Sequence, residues 1–178
     1  LYPWTSEGVQ HTIRLKQVKL WPGRLEAYIK ASVGPGEEMD IAFFDTLFAA
    51  NRVFYKKDER YQFILVGFPY SFQISKSEPI IIDDPSKVRS LRQAMYANDT
   101  QQRESSEPLT FETKGMTALL PRPDLAADDY EFQGPVKSVT EYHAEILGQR
   151  AWRIRVTVAR LGDQDFDIDL CLTEKTLG

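Results

Sequence analysis

Alternation of apolar and polar residues dominates the chain. From Leu25, the side chains Leu25, Ala27, Ile29, Ala31 and Val33 fall on one face, with Glu26, Tyr28, Lys30 and Ser32 on the other. A period of two is the signature of a half-buried strand. In the stretch before it, His11, Ile13 and Leu15 share a face until Val18 and Leu20 take over. Such a phase change predicts a β-bulge, which bends a long strand. "WPG" at Trp21–Gly23 predicts a type II turn between these two strands. After "GPGEE" the alternation resumes at Met39, Ile41 and Phe43. "DTLFAANRVFY" breaks it: Leu47, Phe48 and Ala50 fit a short helix, with Asp45 or Thr46 as its cap. "KKDE" then turns the chain into an aromatic-rich region from Tyr61 to Ile74, one long strand or two short ones.

Residues 76–107 change character. Asp84 is an N-cap, Pro85 suits the first helical position, and Val88, Leu91 and Met95 make an apolar stripe. "NDTQQRESSEP" reads as a polar linker. Strand patterning returns after Pro108 and sharpens from Phe132. Trp152, Ile154, Val156 and Val158 alternate against Arg153, Arg155 and Thr157; Phe166, Ile168, Leu170 and Leu172 alternate against Asp165, Asp167, Asp169 and Cys171. With Leu161-Gly162-Asp163 as the hairpin loop, Arg160 faces Gln164, Val158 faces Phe166, Thr157 meets Asp167 and Arg155 meets Asp169.

The two strand-rich regions align. Leu15-Lys16-Gln17-Val18 matches Val136-Lys137-Ser138-Val139, a turn glycine follows in each, and Ala27, Ile29, Ala31 and Val33 correspond to Trp152, Ile154, Val156 and Val158. Asp40-Ile41-Ala42-Phe43 then corresponds to Asp167-Ile168-Asp169-Leu170. Faces and turns agree together, which points to an internal repeat. The first copy runs on into a helix and more strand. The second stops at that point, so the expectation is that either the chain is a fragment or its closing strands come from elsewhere.

Three strands, a short helix and two strand segments resemble the order of the OB-fold family, a five-stranded Greek-key barrel. "FFDTLFAANRVFYKKDERYQF" is also similar to a module of uncharacterised bacterial proteins. The likeness covers residues 9–75 and part of 131–173. It implies an all-β protein with minor α: one OB-like unit at 1–76, a helical connector and linker at 77–107, and a second unit, incomplete, at 108–178.

Bulk properties narrow the function. Hydrophobic residues make up 42% and charged residues 27% of the 178, so a packed core is expected. The net charge of −4, with no strongly basic segment, argues against a protein that grips duplex DNA. A single cysteine, Cys171, permits no intrachain disulfide and points to a reducing, cytoplasmic compartment. The sequence shows neither a run of 18 apolar residues nor a leader, so no membrane role is expected.

No catalytic constellation is legible. Asp163, Asp165, Asp167 and Glu174 stand at calcium-loop spacing, but Ile168 occupies the position where that loop needs glycine. His11 and His143 lack partners at ligand spacing, so no metal site and no cofactor are expected. Lys87, Arg89 and Arg92 give the connector helix a basic, solvated face. The resemblance implies that ligand contacts lie on the outer face of strands two and three, where Tyr28, Lys30 and Phe44 stand, and on the equivalent Arg153 and Arg155. The reading is a non-catalytic binding module that contacts a protein partner or further copies of itself. Alternatives are a single-stranded nucleic-acid binder and a hydrolase working through carboxylates in a cleft between the units.

Overall fold

A computed structural model describes residues 7–74, 76, 78–96, 99–144 and 148–176, with backbone alone at 142–144 and 149. It is all-β with minor α. In chain order come β1 (Gln10–Leu20), β2 (Ala27–Val33), β3 (Met39–Asp45), α1 (Phe48–Asn51), β4 (Arg60–Ile64) and β5 (Val66–Gly67). Next are β6 (Ile80–Ile82), α2 (Pro85–Met95), α3 (Thr100–Glu104), β7 (Leu109–Phe111), β8 (Ala118–Pro121) and β9 (Tyr130–Gln133). The long strands β10 (Val136–Ala144), β11 (Gln149–Leu161) and β12 (Gln164–Thr173) finish the order.

The chain forms two compact units, Leu1–Gln73 with Thr117–Gly178, and Ile74–Met116. This corrects the expected division at residues 76 and 107, which gave each repeat its own barrel. The first unit holds one sheet in the order β3-β2-β1-β4 and another in the order β10-β11-β12-β5. Ile13, Leu15, Ile29, Ala31 and Ile41 of the first share one core with Ile154, Val156, Val158, Phe166, Leu170 and Leu172 of the second. Each meander has a single apolar face, and burying a Val, Leu or Ile side chain contributes about 1.5–3 kcal/mol. One meander alone would leave that face in water.

The repeat is written into the register. Leu15↔Ala31, Gln17↔Lys30 and Val18↔Ile29 in the first copy match Val136↔Val156, Ser138↔Arg155 and Val139↔Ile154 in the second. Both first strands carry a bulge at the same place, with Lys16 and Lys137 as the extra residues. The next pairings agree too: Ile29↔Phe43, Ala31↔Ile41 and Ser32↔Asp40 against Ile154↔Leu170, Val156↔Ile168 and Thr157↔Asp167. The expected phase change after Leu15 is therefore a bulge, and it recurs.

What differs is how each copy is extended. In the first, β1 pairs with β4. In the second, β12 pairs in parallel with β5, at Asp169↔Val66 and Leu170↔Gly67. The aromatic-rich region thus becomes two short strands on either side of Leu65, one in each sheet. The second copy takes its neighbouring strand from the first half of the chain. No pairing among the described residues closes either sheet on itself.

Two turns depart from expectation. At Trp21–Arg24 the Arg24 N–H donates to the Trp21 carbonyl at 2.8 Å, but the left-handed residue is Arg24 (φ 56°) rather than Gly23, so the turn is not type II. The β11–β12 loop is two residues, Gly162-Asp163, because Leu161 pairs with Gln164. Gly162 supplies positive φ (60°) at the first loop position. A bulge at Val158 then restores the expected Thr157↔Asp167 and Arg155↔Asp169 pairs.

Asp45 does not cap α1 in the usual way: its Oδ1 accepts from Leu47 N at 2.9 Å while Tyr55 donates to Oδ2 at 2.8 Å. In the second unit Asp84 caps α2 as expected, accepting from Ser86 and Lys87 N–H. The expected linker contains α3, capped by Asp99. Arg92 does not belong to a solvated face: it is buried, donating to the Gln102 and Glu107 carbonyls. Unlike those, the His143 side chain lies outside the described residues.

His11 sits at the margin of the core, its ring 4.4 Å from that of Phe166 and its Nε2 donating to the Asp167 carbonyl at 2.7 Å. Desolvation lowers its pKa below 6.5, outweighing the nearby acids that raise it. The folded state therefore binds its proton less readily than the unfolded chain. Its contribution is complete above pH 6.5 and is lost as pH falls through the depressed folded value. The melting temperature should drop between pH 7.5 and 5.5 less steeply in His11→Gln, which keeps an N–H donor and cannot titrate. A second expectation concerns Gly134, where an added Cβ would lie 1.8 Å from the Thr157 carbonyl oxygen of β11. Gly134→Ala should destabilise the fold by about 3 kcal/mol in denaturant unfolding.

Candidate functional site

The site is built on the outer face of β1, β2 and β3. Because β2 is central in that meander, its outward residues are flanked on both sides. Three rows cross the face: Arg14–Ser32–Asp40, Gln17–Lys30–Ala42 and Lys19–Tyr28–Phe44. Over them lies the segment joining β8 to β9. Tyr130 anchors it, its hydroxyl accepting from Ala42 N–H at 2.6 Å and donating to the Ala42 carbonyl at 3.1 Å. Burial raises the Tyr130 pKa, so the hydroxyl keeps the proton it donates at neutral pH. One side chain thereby satisfies both backbone groups of an edge-strand residue.

Between sheet and segment runs a groove of about 810 Å³. Lys16, Lys30, Asp40 and Ala42 form its floor, Pro121, Ala127 and Tyr130 one wall, and Tyr55 and Lys57 the approach from α1. Its charges are uneven. Among the described residues Asp40 is the one acid lining it, paired with Lys16 at 2.5 Å, while Asp128 lies near enough to add to burial in raising the Tyr28 and Tyr130 pKa values. The side chains of Lys30 and Lys57 make no hydrogen bond or ion pair among the described residues.

The second copy shows what the same positions look like when neutralised. Lys30 corresponds in register to Arg155, and Ala42 to Asp169. Arg155 binds Asp169 through both carboxylate oxygens, at 2.8 and 3.0 Å, and that hydrogen bonding raises its pKa. The Asp169 side chain is only 1% exposed. One row further on, Thr157 donates to Asp167 at 2.6 Å. In the first copy the equivalent acid, Asp40, turns to Lys16 instead, and the Ser32 hydroxyl is buried without a partner among the described residues. An unpartnered ammonium and an unpartnered hydroxyl thus stand two residues apart on one face of β2.

The five residues named from the sequence separate accordingly. Lys30 lines the groove. Tyr28 borders it, with its hydroxyl donating to the Ala127 carbonyl at 3.5 Å, and Phe44 packs edge-on against Trp21 at 5.2 Å. Both rings have neighbours within the unit. Arg155 is held by Asp169, and Arg153 reaches Glu7 at 3.3 Å. Sequence reasoning missed Lys16, Lys57 and Tyr130. Lys16 was findable as the bulge residue, but Tyr130 and Lys57 reach the groove only through the fold. Among the described residues no group of three or more His, Cys, Asp or Glu could hold a metal ion.

The contrast between copies can be measured. Arg155→Ala leaves a buried carboxylate uncompensated and should cost about 3 kcal/mol. Lys30→Ala should change stability by no more than about 0.5 kcal/mol. Chemical denaturation of the two variants reads both values.

Comparison with protein-family models, curated proteins and solved structures returned no match.

Proposed function

We propose that this protein is a non-catalytic binding module whose groove takes an acidic segment of a protein partner. The observation that carries the reading is Lys30, an unpaired cation beside the unpartnered Ser32, at a position where the second copy holds a closed Arg155–Asp169 pair. A carboxylate from a ligand would fill the place that Asp169 fills in the repeat. Lys57 adds a second charge along the groove.

Single-stranded nucleic acid draws less support. Binding by base stacking needs open aromatic faces, and Tyr28 and Phe44 already contact Ala127 and Trp21. A carboxylate hydrolase needs two converging acids, whereas among the described residues Asp40 is the one acid lining the groove, engaged by Lys16.

A fluorescent glutamate-rich peptide and an oligothymidine of similar length separate these readings by titration at low and moderate salt. The peptide should bind, with affinity reduced roughly tenfold in Lys30→Glu. Ala42→Asp, which rebuilds the second copy's arrangement, should weaken it comparably while the melting temperature stays within a few degrees. Tight, salt-steep binding of the oligothymidine alone would replace this reading with nucleic-acid recognition.

A further inference from the structure

At one end of the first sheet, away from the row of Ser32 and Asp40, large apolar side chains stand in solvent. Leu20, Trp21 and Leu25 belong to the β1–β2 turn, while Leu47, Val53 and Phe54 flank α1. The register Leu20↔Ala27↔Asp45 brings the strand ends side by side. The Ala49 N–H donates to the Leu25 carbonyl at 3.0 Å, tying α1 to the turn. Trp21 is 54% exposed, Phe54 66% and Val53 76%. Exposed apolar groups on adjoining turns mark an interaction surface.

The charges around this end decide its partner. Lys19, Arg24, Arg52 and Lys56 are exposed and form no ion pair among the described residues; of the acids next to them in sequence, Glu26 is half-buried, and Asp58 and Glu59 lie beside Leu15, with Asp58 bridged to Arg14. Asp45, which precedes α1, is buried and held by Tyr55 and Leu47. A second copy docking through the same face would bring these cations against their own equivalents, which is repulsive. An anionic planar surface meets both features at once. Trp, Phe and Leu enter the headgroup boundary while Lys and Arg stay among phosphates.

We infer that this end of the unit docks on the surface of an anionic phospholipid bilayer. Among the described residues no helix is long and apolar enough to cross a membrane. The charges act together with the apolar tips, because a polybasic surface alone holds weakly at physiological salt. The groove lies on the outer face of the same sheet, and this inference does not depend on its ligand.

Co-sedimentation with phosphatidylcholine vesicles, with and without phosphatidylglycerol, tests it on the whole chain. The protein should pellet only with the anionic vesicles, with release by high salt. Each cation near such a surface is worth roughly fivefold in partition, so Arg52→Gln with Lys56→Gln should lower it about twenty-five-fold. Trp21→Gln with Phe54→Gln should lower partition at least tenfold, with circular dichroism and melting temperature reporting that the fold is kept. Quenching of tryptophan fluorescence by brominated lipid should disappear in Trp21→Phe. Failure to bind anionic vesicles at low salt overturns the inference, as does equal partition of wild type and variants. Sedimentation showing a wild-type dimer that Trp21→Gln with Phe54→Gln dissolves assigns the face to a second copy instead.

Discussion

Mutual burial of two one-sided sheets underlies the rest of the structure. Ile13, Leu15, Ile29 and Ala31 on one side and Ile154, Val156, Leu170 and Leu172 on the other belong to a single core. Neither meander offers a second apolar face that could make a core by itself. The chain brings them together through Leu65, where a short strand in the first sheet gives way to one in the second. That crossing supplies β12 with its second neighbour.

The outer faces of the two copies have been used differently. In the second, Arg155, Asp169, Thr157 and Asp167 satisfy one another, and cross-strand pairing accounts for the charges. In the first, alanine replaces the aspartate opposite the cation, and the remaining aspartate goes to the bulge lysine. A repeat gives an internal reference: one copy displays the closed form of a network that the other holds open. Arg155 is thereby held by Asp169, whereas the Lys30 side chain, of similar chemistry, has no ion-pair partner among the described residues.

Placing the groove and the apolar end on one sheet has a mechanical consequence. Both draw on the segment from Asp45 to Lys57, whose short helix is tied to the β1–β2 turn by the Ala49–Leu25 backbone bond and to the groove by Tyr55 and Lys57. Tyr55 also stacks among Phe48, Tyr61 and Phe63. That aromatic cluster fixes the segment against the core while its exposed residues face outward.

The sequence by itself determined the long strands of the two meanders, the bulge after Leu15, the cap at Asp84, the short helix after Asp45 and the equivalence of the two meanders. These follow from side-chain periodicity and local hydrogen bonding, which neighbouring residues settle among themselves. On the outer face it named Lys30, which lines the groove, and treated Arg153 and Arg155 as its equals, because strand alternation says which residues share a face and not which are already paired. Tertiary structure alone decided that both copies would share one core, since period-two patterns fix what is buried but not against what. It alone brought Tyr130 onto Ala42 and β5 beside β12, contacts between residues far apart in the chain whose local sequence carries no mark of their partner.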